Sequence, residues 1–175
     1  YAEWSMKWIR EIYRVLKKDS VFCLVSGWSN VSYLDLAGRE SGFKLLNHVI
    51  WKFEFGLYTK RKFTTSHYHI LSFVKTSDLK KSRYYFMKQK HYDEDVVLDI
   101  RRNNTNIKGH PCALPPLLVE KFIKSFTREG DLVLDIFMGS GTTAMVAKKN
   151  KRSFIGFEID RKYCELIEKR MNTLK

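Results

Sequence analysis

The spacing of apolar residues along the chain predicts an alternation of helices and strands. A helical period over 2–18 predicts an amphipathic helix whose apolar stripe lies in the core. The stripe is formed by Trp4, Trp8, Ile9, Ile12 and Leu16. The unbroken apolar run over 21–25 is typical of a strand covered on both faces, as in a parallel sheet. A short helix is predicted over 32–41, followed by strands over 43–55 and 67–75 that form an antiparallel pair.

The C-terminal part of the chain repeats the order strand, turn, helix. Two prolines, Pro115 and Pro116, open a helix, because proline is tolerated in a first turn. Its inward side is predicted to carry Leu118, Phe122, Ile123 and Phe126. Strands over 131–135 and 153–160 are each followed by a helix, so the chain is predicted to be an α/β protein.

A glycine turn joins the first of these strands to its helix. Gly139-Ser140-Gly141 allows positive φ and leaves no side chain between the turn and a ligand. The helix that begins at Thr142 directs its first N–H groups into the same space. Glu158 follows Gly139 by 19 positions, close to the spacing of roughly 20 at which a β-α-β unit places an acid on a ribose. The unit is therefore predicted to bind an adenosine-containing ligand.

The residues around the turn also discriminate between ligands. A phosphate-binding P-loop needs Lys where Thr142 stands, so phosphate binding is not expected. Residues 139–144 match the loose dinucleotide-binding pattern Gly-x-Gly-x-x-Gly/Ala. However, the carboxylate of Asp135 at the strand tip would repel the pyrophosphate of a dinucleotide. A carboxylate there suits an ammonium or sulfonium group, which S-adenosylmethionine carries. The alternative is a β-turn-α unit that binds no ligand and in which Asp135 only caps the helix.

Three segments together closely resemble the motifs of the permuted, or beta-class, DNA amino-methyltransferases, which methylate adenine N6 or cytosine N4. The segments are Asp135-Ile-Phe-Met-Gly-Ser-Gly-Thr142, Phe154-Ile-Gly-Phe-Glu158-Ile-Asp160 and His110-Pro111-Cys112-Ala113-Leu114-Pro115. The resemblance covers essentially the whole chain, with Ile136 as a departure where the family usually has Pro. It implies a Rossmann-like S-adenosylmethionine-dependent methyltransferase sheet, mostly parallel with an antiparallel edge hairpin.

The resemblance also implies roles for particular residues. The expected reaction is direct attack of the flipped base's amino nitrogen on the cofactor methyl. Adenine N6 is the preferred target, and the enzyme is expected to belong to a restriction-modification system. His110 and Pro111 are expected to close the pocket over the methionine part of the cofactor. The remaining cofactor-binding residues are expected to be Asp135, Phe137, Gly139, Ser140, Gly141, Thr142 and Glu158.

Length and composition set the class of protein. A chain of 175 residues with 44% hydrophobic content can bury one core, so 1–175 is predicted to be a single domain, which the resemblance implies to be a partial methyltransferase domain. No run of 18 apolar residues exists, and the first residues do not resemble a signal peptide. The odd cysteine count favours reduced thiols in a cytoplasmic protein. His67 and His69 lack a third nearby ligand, so no metal site is predicted.

Charge points to a polyanionic partner, which the resemblance implies to be double-stranded DNA. The formal net charge is +13, and 44–108 alone holds 14 Lys and Arg against 6 Asp and Glu. Within it, 56–65 and 80–108 are predicted to contact DNA, the latter where the resembled family carries its target-recognition insert. The DNA-binding residues are predicted to be Lys60, Arg61, Lys62, Lys88, Lys90, Arg101 and Arg102. Trp28, in the turn after the 21–25 strand, could stack on a base or cofactor, or pack internally.

One expected motif is missing. Methyl transfer to an exocyclic amine needs acceptors for that amine and a flat surface for the flipped base. In the resembled family, Asp/Asn/Ser-Pro-Pro-Tyr/Phe at the tip of the central strand supplies both. Proline occurs here only at 111, 115 and 116, and Leu114-Pro115-Pro116-Leu117 has neither group. We therefore expect no catalytic residue in the chain, a sheet without its central strand, and no activity for the chain alone.

Three interpretations remain open at this stage. The first is a DNA methyltransferase in fragment form, either a truncated or frameshifted copy or one half of a split enzyme whose catalytic motif lies in a separate N-terminal segment. The second is a non-catalytic nucleic-acid-binding protein that kept the fold. The third is a nicotinamide or flavin oxidoreductase with the same glycine turn, against which Asp135 and the basic central segment argue.

Overall fold

A computed structural model describes residues 1–53, 59–89, 93–101, 107 and 110–173 of the chain. They form two compact units, one of Tyr1–Tyr85 with Lys90–Asp99 and one of Phe86–Gln89 with Ile100–Lys175, called the N-terminal and C-terminal units below. Whether the two act as one methyltransferase domain stays a prediction. Among the described residues, no helix is both long enough and apolar enough to cross a membrane.

The described residues of the N-terminal unit form a four-stranded sheet with two helices. Its elements are α1 (Ala2–Val15), β1 (Val21–Ser26), α2 (Val31–Glu40), β2 (Lys44–Lys52), β3 (His67–Val74) and β4 (Val96–Val97). The strand order is β1-β3-β2-β4, in which β2 and β3 form the predicted antiparallel pair and β4 lies parallel to β2. The predicted elements are confirmed to within a few residues, whereas β4 was not predicted.

The direction of β1 differs from the sequence-based expectation. The strand is antiparallel to β3, with Val21 opposite Val74 and Ser26 opposite His69. An apolar run shows that both faces of a strand are covered, and it carries no information on the direction of the neighbouring strand. Among the described residues, the other edge of β1 pairs with no strand.

Aromatic rings fill the space between the helices and the sheet of the N-terminal unit. The ring of Phe22 lies 5.5 Å from that of Phe43 and 6.1 Å from that of Phe73, and Tyr13 meets Phe43 edge-on at 4.9 Å. Helix α2 approaches this cluster through Gly38, where an added Cβ would lie 2.6 Å from the Phe73 ring. The glycine therefore sets the close contact of helix and sheet.

Trp4 is a correction to the predicted core. Its side chain is 52% exposed, while Ser5, Ile9 and Ile12 form the buried side of α1. Successive residues of a helix are about 100° apart, so Trp4 lies beside the buried stripe and not on it. Its ring contacts Tyr1 and Trp8 at the rim of the core.

The described residues of the C-terminal unit form a two-stranded parallel sheet and three helices. Its elements are α3 (Pro116–Phe126), β5 (Leu132–Asp135), α4 (Thr142–Lys149), β6 (Ser153–Gly156) and α5 (Arg161–Asn172). The register runs from Leu132 opposite Ser153 to Asp135 opposite Gly156. Val133 and Phe154 point from the sheet into a cluster of Ile123, Val146 and Ala147, so the predicted β-α-β arrangement is confirmed.

Candidate cofactor site

The site begins where β5 and β6 end side by side. Beyond the strands, the Phe157 N–H donates to the Asp135 carbonyl at 2.9 Å, and the Met138 N–H donates to the Phe157 carbonyl at 3.0 Å. The Asp135 carboxylate accepts from the Phe137 N–H at 3.0 Å. These bonds fix Asp135 at the carboxyl edge of the sheet, the edge at which α/β proteins bind ligands.

The two glycines of the turn have the backbone geometry that the sequence predicted. Gly139 has φ +51° and Gly141 has φ +76°, a region that residues with a Cβ rarely adopt. Each is also enclosed: a Cβ on Gly139 would lie 2.9 Å from His110 Nε2, and one on Gly141 would lie 2.9 Å from Ile167 Cγ1. Conformation and space both demand glycine at these positions.

Glu158 binds the turn to the end of β6. Its Oε2 accepts from the Gly139 N–H at 2.7 Å, and its Oε1 accepts from the Ile159 and Asp160 N–H groups, both at 2.9 Å. A carboxylate has about four acceptor positions, so one position on Oε2 remains for a ligand hydroxyl. The predicted ribose contact is compatible with this geometry and stays a prediction.

Helix α4 begins at the turn without a capping side chain. Gly141 occupies the N-cap, and among the described residues no side-chain hydrogen bond caps this helix. The hydroxyls of Ser140 and Thr142, both buried, lie 3.1 Å apart and satisfy each other. The first backbone N–H groups of α4 therefore face the turn, as the sequence predicted for a ligand site.

His110 lies against the glycine turn. Its ring centroid is 4.7 Å from that of Tyr163, and its Nδ1 accepts from the Cys112 N–H at 3.3 Å. Together with the approach of Nε2 to Gly139, these contacts bring His110 to a turn that lies 29 positions further along the sequence, and Pro111 follows it at the surface. Closure of the pocket by these two residues stays a prediction.

Helix α5 contributes residues that the sequence did not single out as functional. Tyr163 packs on His110, Ile167 packs on Gly141, and Arg170 Nη1 donates to the Ser140 carbonyl. Burial lowers the pKa of the Arg170 guanidinium. The sequence does contain a sign of this role, because Arg170 is a cation on the otherwise apolar side of the predicted helix. It lies at helical spacing from Tyr163 and Ile167.

Comparison with known proteins identifies the family. The family model described as DNA methylase matches residues 1–169. The chain belongs to the DNA methylase family. It is 33% identical over 181 residues to the type II methyltransferase M2.DpnII of Streptococcus pneumoniae, covering 97% of this chain and 66% of that protein. It is 31% identical over 191 residues to M.HpaI of Haemophilus parainfluenzae, covering 99% of this chain and 60% of that one.

A solved structure supports the fold of this methylase family member. The crystal structure of the M1.HpyAVI complex with S-adenosylmethionine matches 95% of this chain and 81% of that one, with a TM-score of 0.84 and 27% identity. The predicted methyltransferase fold is therefore confirmed, and the oxidoreductase interpretation is left without support. The chain spans less than two thirds of the length of the type II methyltransferases named above.

The predicted DNA-binding residues of the chain lie in both units. Lys60, Arg61 and Lys62 are exposed in the connection between β2 and β3, in the N-terminal unit. Lys88 and Arg101 are exposed in the C-terminal unit. Lys90 and Arg102 lie outside the described residues. Contact of any of these side chains with DNA stays a prediction.

Proposed function

We propose that this chain is the cofactor-binding and DNA-binding portion of an S-adenosylmethionine-dependent DNA methyltransferase of a bacterial restriction-modification system, acting in the cytoplasm. The observation that carries the proposal is the enclosed turn Gly139–Gly141 between the carboxylates of Asp135 and Glu158. The two carboxylates favour a ligand with cationic groups and hydroxyls, and the uncapped helix N–H groups favour a hydrogen-bond acceptor on the same ligand. S-adenosylmethionine combines these groups in one molecule.

Each residue of the site would have a distinct task. Asp135 would attract the ammonium and sulfonium charges, and Glu158 would accept a ribose hydroxyl on Oε2. Phe137, which is exposed beside the turn, would contact the cofactor through its ring. His110, held by Tyr163, would cover the methionine part with Pro111. When bound, the cofactor supplies an electrophilic methyl group on sulfur.

The base amine needs partners that this sequence does not contain. We propose that a polypeptide segment carrying an Asp/Asn/Ser-Pro-Pro-Tyr/Phe motif supplies the acceptor and the stacking ring, with adenine N6 as the target. The support is the absence of that motif from the 175 residues. Further support comes from β5, whose edge away from β6 pairs with no described strand. By this proposal the chain binds cofactor and DNA but transfers no methyl group unaided.

The second candidate is a nucleic-acid-binding protein that keeps the fold without the chemistry. The missing catalytic motif favours it, and it differs from the first candidate in needing no complementing segment. Cofactor binding separates the two, because a protein without methyl transfer has no need to retain Asp135 and Glu158 in a binding geometry.

The test combines ligand binding with a transfer assay on the purified chain. Calorimetry with S-adenosylmethionine, NAD⁺ and ATP is expected to give saturable binding for the first ligand alone. Incubation with radiolabelled S-adenosylmethionine and unmethylated DNA is expected to leave the DNA unlabelled. Binding of NAD⁺ in preference would refute the methyltransferase assignment, and labelled DNA would refute the need for a complementing segment.

A further inference from the structure

Trp28 is a large aromatic residue held at the surface of the N-terminal unit. The turn that carries it follows β1 and is closed by a hydrogen bond from the Asn30 N–H to the Gly27 carbonyl, at 3.2 Å. The side chain is nevertheless 58% exposed. Leaving an indole in water forgoes the free energy of burying a large apolar surface, so a fixed, exposed Trp is a candidate contact residue.

The strand register brings a second segment to the same edge of the sheet. Ser26 at the end of β1 lies opposite His69, and the neighbouring His67 pairs with Lys52, the last residue of β2. The connection from β2 to β3 therefore extends beyond the end of β1. The Thr59 hydroxyl donates to the Lys62 carbonyl at 2.6 Å, and Lys62 Nζ lies 5.8 Å from the centroid of the Trp28 ring. A cation–π contact thus joins the connection to the Trp28 turn.

The chemistry of this surface matches one class of ligand. Lys60, Arg61 and Lys62 are consecutive exposed cations, and 59–66 contains no acidic residue. Phe63, next to them, is 99% exposed. An acidic peptide would use the cations but not the rings, and an apolar partner would use the rings but leave the cations unpaired. Single-stranded or locally opened nucleic acid uses both, because its phosphates need cations and its bases stack on aromatic rings.

We infer that Trp28, Lys62 and Phe63 form a stacking surface for an unstacked DNA base, with Lys60 and Arg61 binding the adjacent phosphates. The inference rests on the proposed DNA-binding function and adds a base-contacting site to it. Stacking on an indole is tolerant of base identity, since every base presents a π face. The surface would therefore hold an opened strand without reading its sequence.

The test is fluorescence anisotropy of a labelled single-stranded thymidine oligomer over a series of salt concentrations, using the full chain. Trp28→Leu is expected to weaken binding roughly tenfold, with no change in the slope of log K against log salt, because the phosphate contacts remain. Trp28→Phe keeps an aromatic face and is expected to restore most of the affinity. Lys60→Gln is expected to reduce the slope by roughly 0.7, the contribution of one phosphate contact on a single strand.

Trp4→Leu is the matched control, since Trp4 is 52% exposed on α1 in the same unit. It is expected to bind the oligomer like the unmodified chain, and thermal melts establish that all variants are folded. Equal affinity of Trp28→Leu and the unmodified chain, or an equal loss in Trp4→Leu, overturns the inference. Absence of oligomer binding by the unmodified chain also overturns it. Binding of S-adenosylmethionine by that same preparation would then leave the proposed cofactor function intact, which separates the two failures.

Discussion

Single residues of the glycine turn are held by contacts from several elements at once. Gly139 donates its N–H to Glu158 and meets the ring of His110, while the neighbouring Ser140 carbonyl accepts from Arg170. A ligand in the turn therefore meets a backbone whose position is already fixed. Such preorganisation reduces the entropy lost on binding.

Gly139→Ala tests this enclosure. The substitution places a Cβ 2.9 Å from His110 Nε2 at φ +51°, so we expect both backbone strain and displacement of the His110 ring. Gly130→Ala is the control, because Gly130 has φ +86° with no atom of the described residues within 4 Å of its added Cβ. Both variants should lose about 1–2 kcal/mol in urea unfolding from the left-handed backbone. By calorimetry, Gly139→Ala alone should lose S-adenosylmethionine affinity, and equal affinity in the two variants would contradict the enclosure.

Arg170→Met tests the support that α5 gives to the turn. The change removes the donor to the Ser140 carbonyl, and an unsatisfied polar group of this kind costs about 1–3 kcal/mol. We expect weaker S-adenosylmethionine binding, with Arg170→Lys recovering part of it. Lys169→Met, an exposed neighbour on the same helix, serves as the control. A melting temperature that falls with unchanged cofactor affinity would assign Arg170 a purely structural role.

At the level of elements, the β2–β3 pair carries a group of histidines. His48 Nε2 lies 2.8 Å from His69 Nδ1, and the rings of His67 and His69 are 4.9 Å apart. Burial lowers the pKa of His69, with further lowering by the charges of His48 and His67. The hydrogen bond needs one ring nitrogen as donor and the other as acceptor, so protonation of both rings breaks it.

The hydrogen-bonded pair of His48 and His69 is expected to make the stability of the fold depend on pH. The pKa of His69 in the folded chain lies below its unfolded value of about 6.5. Between these two pKa values the unfolded chain therefore binds more protons than the folded chain. Stability should therefore fall as the pH falls through 6.5 toward the lowered pKa. Urea unfolding at a series of pH values is expected to show a smaller dependence in His69→Gln than in the unmodified chain. Identical pH profiles for the two proteins would show that His69 does not carry the effect.

At the level of elements, features that depend on local sequence pattern could be predicted, and features that depend on tertiary contacts could not. The apolar periods located α1 and β3, because a helix or strand must bury one side of its own sequence. The two-residue strand β4 was missed, since Val96–Val97 is too short to show a period. Helix α5 was predicted, but its contacts with the turn were not, because they depend on how the helix packs.

At the level of the whole molecule, the sequence predicted the residues of the cofactor site itself but not the contacts that surround the site. Asp135 and the two glycines have local reasons for their identity, namely charge and positive φ, so the sequence revealed them. The role of Arg170 and the contact of Lys62 with Trp28 join distant parts of the chain, and no sequence pattern encodes them. The family match over residues 1–169 confirms the resemblance that the three motifs indicated.

The central claim is that Asp135 recognises the positive charge of S-adenosylmethionine at the tip of β5. Calorimetry of Asp135→Asn against Asp131→Asn tests it most directly, since both are isosteric changes and Asp131 lies before β5, at the opposite end from Asp135. An Asn at 131 can still accept from the Arg128 N–H, which donates to Asp131 at 2.7 Å. We expect unchanged affinity in Asp131→Asn and a loss of about tenfold or more in Asp135→Asn. Equal affinity of the two variants would contradict the claim.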